Sequence, residues 1–134
     1  MKQRLPIIGI AIALVLIALS SVHAREINCT ECGMTVRMDS KFISKITQGD
    51  ATQYFCDIGD LFTYLKRKGL PNARIEVKDY PSGEWIDARK AFYVTSGKKF
   101  NTPMGWGIAA FKDKTEASQS GNAMDFENTA KAWK

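Results

Sequence analysis

Histidine is nearly absent from this 134-residue chain: the single one is His23, and none follows it. Ser-His-Asp and Cys-His nucleophile arrangements are thereby excluded downstream, because both need an imidazole to carry the proton. Histidine metal sites are excluded with them, and no glycine-rich phosphate loop is present. No low-complexity stretch or long Pro/Ser-rich linker divides the chain. The sequence reads as one small domain without enzyme chemistry.

Long apolar runs are also missing, with one exception. Ile7 to Leu19 is apolar throughout, but shorter than the roughly 20 residues that a spanning helix needs. Lys2 and Arg4 precede it, and Ser20-Ser21-Val22-His23-Ala24 follows, with small residues at 22 and 24. That is the tripartite pattern of a secretory signal. The expected division is a signal at residues 1–24, cleaved after Ala24, and a domain at 25–134 exported to a bacterial periplasm. Left uncleaved, the same segment would tether the domain to the inner membrane. A lipobox is missing: the first cysteine, Cys29, follows Asn28 instead of a small-residue triplet.

Removing Lys2 and Arg4 lowers the formal net charge from +5 to +3. The remaining basic residues are scattered (Lys66-Arg67-Lys68, Lys98-Lys99, Lys112, Lys114) and not interleaved with aromatic rings. Nucleic acid is therefore not an expected partner. These clusters read as solvated faces, or as a surface for an acidic partner.

What is present is sulfur, concentrated. Cys29-Thr30-Glu31-Cys32-Gly33-Met34 packs two thiols and a thioether into six residues. Thiolate and thioether are soft donors, and the ion that suits both is Cu(I). Zinc normally recruits imidazole or a fourth thiolate, and a structural disulfide has no use for methionine. Cys32 and Met34 are two apart, so on extended backbone both side chains point to one side. Cys29 has three readings: a further ligand, a guard thiol pairing with Cys32 when metal is absent, or a bystander. Three cysteines is an odd number, so one thiol is left over if two pair.

Two rival readings use the same cysteines. Cys29–Cys32 is a CxxC, which in an oxidising compartment would normally close; a dithiol oxidoreductase is the first alternative. Such dithiols open a helix after a buried strand, where the helix end lowers the thiol pKa. Here no strand precedes the pair, and Gly33, Thr35 and Val36 open helices poorly. The second alternative is a zinc or purely structural module built on Cys29, Cys32 and Cys56.

The pattern along the exported part is α+β. Thr35 to Thr47 alternates loosely, Gly49-Asp50 turns, and Thr52 to Cys56 returns as a strand. Asp57 or Asp60 caps a helix with an apolar stripe of Ile58, Leu61, Phe62 and Leu65, stopped by Gly69 and Pro71. Arg74 to Tyr80 is a further strand. After Pro81-Ser82-Gly83 a second round begins: Glu84 to Thr95 extended, Met104 to Phe111 returning, Lys112 to Ser120 a short helix, Ala123 to Phe126 a last strand. The expectation is two tandem ββαβ-like units. Cys56 ends an apolar strand beside Phe55, as a buried structural cysteine does, and Met38 and Met124 read as packing residues.

A second motif stands in the second unit, Asn101-Thr102-Pro103-Met104-Gly105-Trp106-Gly107. Pro103 stiffens one side of Met104, and Gly105 admits close backbone approach on the other. One reading is a tight turn whose methionine fills a gap. The other is a thioether presented on a rigid loop, supplying a donor that the first motif lacks. Trp106 beside it either shields an ion with its ring face or packs.

Cys29 to Met34, Tyr54-Phe55-Cys56-Asp57, Ala91-Phe92-Tyr93-Val94 and Pro103-Met104-Gly105, in that order, resemble the NosL family of accessory copper proteins from nitrous-oxide reductase maturation. The resemblance covers about Asn28 to Phe126. It implies an exported Cu(I)-binding metallochaperone of two ββαβ units, serving a copper enzyme such as nitrous-oxide reductase, with an ABC-type membrane complex as partner. By position it implies Cys32 as the thiolate ligand and Met34 and Met104 as thioethers. Many members are lipoproteins, which this chain does not match. Some serve organisms that do not reduce nitrous oxide, so the client stays open.

Overall fold

The computed structural model describes residues 24–134; the signal segment assigned above lies outside the described residues, Ala24 apart. Among the described residues no helix is long and apolar enough to cross a membrane.

The first unit runs β1 (Ser44–Gln48), β2 (Ala51–Phe55), α1 (Ile58–Lys68) and β3 (Arg74–Lys78), extended by β4 (Trp85–Asp87). These strands form an antiparallel sheet in the order β2-β1-β3-β4, with Ser44 opposite Phe55 on one side and Val77 on the other. The second unit runs β5 (Phe92–Thr95), β6 (Ile108–Phe111), α2 (Lys114–Ser120) and β7 (Met124–Asp125), followed by α3 (Phe126–Ala132). Its antiparallel sheet has the order β6-β5-β7. Each sheet thus has the first strand of its unit between the second and third, which is the expected tandem ββαβ arrangement.

The Asp57 carboxyl starts α1 by accepting the Gly59 N–H at 3.0 Å, and Gly69 ends the helix. The expected apolar stripe is the buried one: Ile58, Leu61, Phe62 and Leu65 all face inward. Phe62 meets Tyr93, Phe126 and Trp133 at ring-centroid distances of 5.2 to 5.5 Å, so the helix of the first unit packs on elements of the second. The backbone joins the halves as well. Tyr80 N–H donates to the Ala110 carbonyl and Lys112 N–H to the Asp79 carboxyl, both at 2.8 Å.

Several expected boundaries move. The strand expected from Thr35 begins only at Ser44; before it the chain turns at Met38–Asp39, where Arg37 pairs with Asp39 in solvent. The extended run from Glu84 to Thr95 is broken by a 3-10 turn at Ala88–Lys90, because Asp87 accepts the Arg89 N–H. The break hands the chain from one sheet to the other. The strand expected from Met104 starts at Ile108, since Gly105 and Gly107 hold positive φ. The last strand is only two residues long and leads into α3, whose start is fixed by Asp125 accepting the Asn128 N–H at 2.8 Å.

Candidate metal site

Residues 28–35 form a tight hairpin. Asn28 and Thr35 bridge its base, and Cys29 and Met34 are joined through the Cys29 N–H and the Met34 carbonyl at 2.7 Å. Gly33, with φ of 77°, lets the loop reverse. The Thr30 N–H donates to the Tyr54 carbonyl, which pins the hairpin along the end of β2. Cys32 is thereby set against Cys56, where β2 gives way to α1.

The result is a cluster drawn from three places: Cys29 and Cys32 of the hairpin, Cys56 at the strand end and Asp60 in the first turn of α1. Their candidate donor atoms all lie within 4.8 Å of one another. The Sγ atoms of Cys32 and Cys56 are 3.3 Å apart. Asp60 Oδ2 accepts from Cys29 Sγ at 3.4 Å and from Cys56 Sγ at 3.5 Å. Cys29 Sγ also accepts the Cys32 N–H at 3.5 Å. All three cysteines are free thiols; Cys29 and Cys56 are buried, and Cys32 is partly exposed.

Burial dominates the electrostatics. It pushes the Cys32 thiol up to about 11, although hydrogen bonds from the Met34 backbone and Cys56 pull the other way. Cys56 is raised well beyond the ordinary thiol range, first by burial and then by its cysteine neighbours. Without metal the Cys32 and Cys56 thiols therefore hold their protons near neutral pH. A soft cation binding there must displace them.

The second motif arrives on the same side. Asp57 Oδ2 accepts the Met104 N–H at 3.0 Å, and Asp60 Oδ1 accepts the Trp106 indole N–H at 2.9 Å. Inside the loop the Gly107 N–H donates to the Thr102 hydroxyl at 3.0 Å, and the Thr102 side chain also bonds Asp57. Burial raises Asp57, against the lowering effect of these hydrogen bonds. A Cβ at Gly107 would stand 2.7 Å from the Gly97 backbone at a φ of 65°, so only glycine lets the loop return to β6.

The expected ligands are therefore distributed unevenly. Cys29 and Cys32 are in the cluster. Met34 stands in the hairpin and Met104 in the loop bonded to Asp57, and they are 48% and 41% exposed. A cleft of about 500 Å³ is lined by Met34 and Cys56 together with Asn101, Thr102 and Pro103. The cleft joins the hairpin to the base of the Met104 loop. Trp106 packs against Trp133 at 5.2 Å and bonds Asp60, so its ring serves packing and its N–H the cluster.

Asp60 is the member that the sequence reading took only as a cap, and Cys56 entered it as a structural cysteine or in the zinc alternative. Asp57 alone is the cap. One signal was available: Cys56 and Asp60 stand only four residues apart across a helix start, on either side of the Asp57 cap.

Comparisons with known proteins bear on the family and the fold. A family model described as NosL matches residues 21–131. The crystal structure of the copper chaperone NosL from Shewanella denitrificans superposes with a TM-score of 0.62 at 21% identity, covering 95% of each chain. No curated protein matches this sequence.

Proposed function

This chain belongs to the NosL family, and from that premise we propose that it is an exported Cu(I) carrier rather than an enzyme. The supporting observation is the convergence of three unpaired thiols from the hairpin and the end of β2, with two thioether-bearing loops around them. Soft sulfur in that number suits a monovalent soft ion, and the described residues include no imidazole to favour a harder one. In this reading Cys32 and Cys29 are thiolate ligands, joined by Cys56. Met34 and Met104 are the outer thioethers through which the ion enters and leaves. The setting is the periplasm. The client is a copper enzyme such as nitrous-oxide reductase, approached through an ABC-type membrane complex.

The oxidoreductase alternative loses its physical basis. Cys29 and Cys32 sit in a turn and not at a helix N-terminus, and burial raises the Cys32 thiol where a redox dithiol needs it lowered. Anaerobic Cu(I) titration against a chromogenic competitor tests the proposal. One tightly bound ion per chain is expected, weakened by Cys32→Ser and by Met104→Leu. X-ray absorption showing only oxygen and nitrogen neighbours would refute it.

A further inference from the structure

The adjacent CxxC cysteines suggest each other as disulfide partners, but the fold pairs them differently. The geometry points to Cys32–Cys56 as the pair that oxidises, a modification site closed across the hairpin and the end of β2. Their sulfurs already touch at 3.3 Å, and a disulfide requires about 2.05 Å. The two sulfurs must approach by about 1.2 Å to bond. Cys29 Sγ lies in the same cluster, but its close contacts are the Asp60 carboxyl and the Cys32 N–H, whereas the close sulfur–sulfur contact is that of Cys32 with Cys56. Cys32 is the partly exposed member of the three and the one an outside reagent meets first.

The chemistry is thiol–disulfide exchange with a small disulfide such as oxidised glutathione. The Cys32 sulfur, deprotonated under alkaline conditions because burial raises its thiol, attacks one sulfur of the reagent and forms a mixed disulfide, releasing the first reduced thiol. Cys56 sulfur then attacks the Cys32 sulfur, the mixed disulfide breaks, and the second reduced thiol leaves. The protein loses two protons and two electrons, and the reagent gains them. Cys29 remains a thiol, which accounts for the odd cysteine in an exported chain. Resting on the Cu(I)-carrier reading, the bond also acts as a gate. It removes two of three thiolates, so the oxidised chain cannot load until it is reduced.

Digestion after Lys and Arg separates the alternatives, because residues 26–37 carry both Cys29 and Cys32 while residues 46–66 carry Cys56. Full-length metal-free protein is treated with oxidised glutathione and mapped by mass spectrometry without reduction. The expected product joins the two peptides, persists in Cys29→Ser and is lost in Cys56→Ser. An internal bond within 26–37, or no bond after prolonged exposure, overturns the assignment. The oxidised protein is then titrated with Cu(I): loss of binding, regained on reduction, is expected, and unchanged binding overturns the gate. If the reduced protein also fails to bind Cu(I), the carrier reading falls while the mapped disulfide stands.

Discussion

Trp106 and Asp60, 46 residues apart, are joined by a 2.9 Å hydrogen bond from the indole Nε1 to the carboxyl Oδ1. The other oxygen of the same carboxyl accepts from the Cys29 and Cys56 thiols. One side chain thus ties the buried sulfur cluster to the loop that displays Met104. Asp57, three residues earlier, repeats the device by holding the Met104 N–H. The first turn of α1 is therefore a clamp between the two sulfur-bearing loops.

Replacing Trp106 by Phe keeps most of the ring packing and removes the donor. An intramolecular hydrogen bond contributes about 1 kcal/mol, and Trp106 is exposed enough for water to replace part of it. Denaturant unfolding should show a loss of no more than about 1 kcal/mol. Binding should reveal more: if Trp106 reports on the cluster, Cu(I) addition changes the fluorescence of the parent protein and not of the variant. An identical fluorescence response in both proteins would mean that the indole does not sense the site.

Asp60→Asn preserves shape while changing what the side chain offers the thiols. Groups that orient ligands typically contribute 10–100-fold to metal affinity. A Cu(I) affinity lowered by about that factor is expected, with circular dichroism and thermal unfolding close to the parent. Titration with the same chromogenic competitor measures it. Unchanged affinity would show that Asp60 serves only the Trp106 loop.

Much of this architecture was legible in the chain and some of it was not, for identifiable reasons. The apolar stripe of α1 repeats at helical spacing, so the helix and its buried face could be read directly. Gly49-Asp50 and Pro81-Ser82-Gly83 marked turns that the structure keeps. The helix α3 was missed because its signal is the Asp125 cap, which stands inside what reads as a strand. The role of Cys56 was hidden because burial at a strand end is also what a packing cysteine shows. Its partners come from a hairpin 24 residues earlier, a pairing that local pattern does not encode. The Trp106–Asp60 bond is longer in range still, and is set by how the two units pack.

Gly59 is the place where the clamp admits no side chain. A Cβ there would stand 2.1 Å from Trp106 Cγ. Gly59→Ala gains helix propensity, up to about 1 kcal/mol, but it must push the indole away from α1. The expected outcome is a displaced Met104 loop with weaker Cu(I) binding and lower thermal stability, since the Asp60 and Asp57 bonds to the loop stretch together. Increased stability with unchanged binding would show that the loop moves without consequence for the site.

Loading should depend on pH, with a definite sign. The metal-free fold holds Cys32 up to about 11 by burial, above its ordinary value of 9.0, and Cys56 is raised further. Cu(I) takes thiolates, so each ligating thiol must give up a proton. Below the thiol pKa values the apparent affinity should strengthen as pH rises, by about one decade per pH unit for each proton displaced. The gain from Cys32 should level off near pH 11. The metal-free protein should move the opposite way. A thiol whose pKa is raised on folding stabilises the fold while it remains protonated, and the contribution is fully present below the unfolded value. It is lost from about pH 9 upward, through the window to about pH 11 for Cys32. Unfolding curves with and without Cu(I) from pH 6 to 10 should therefore diverge, metal-free stability falling at the alkaline end as the stabilisation by Cu(I) grows. Affinity that is flat with pH would mean that the ion is held by thioethers alone and that the three thiols take no part.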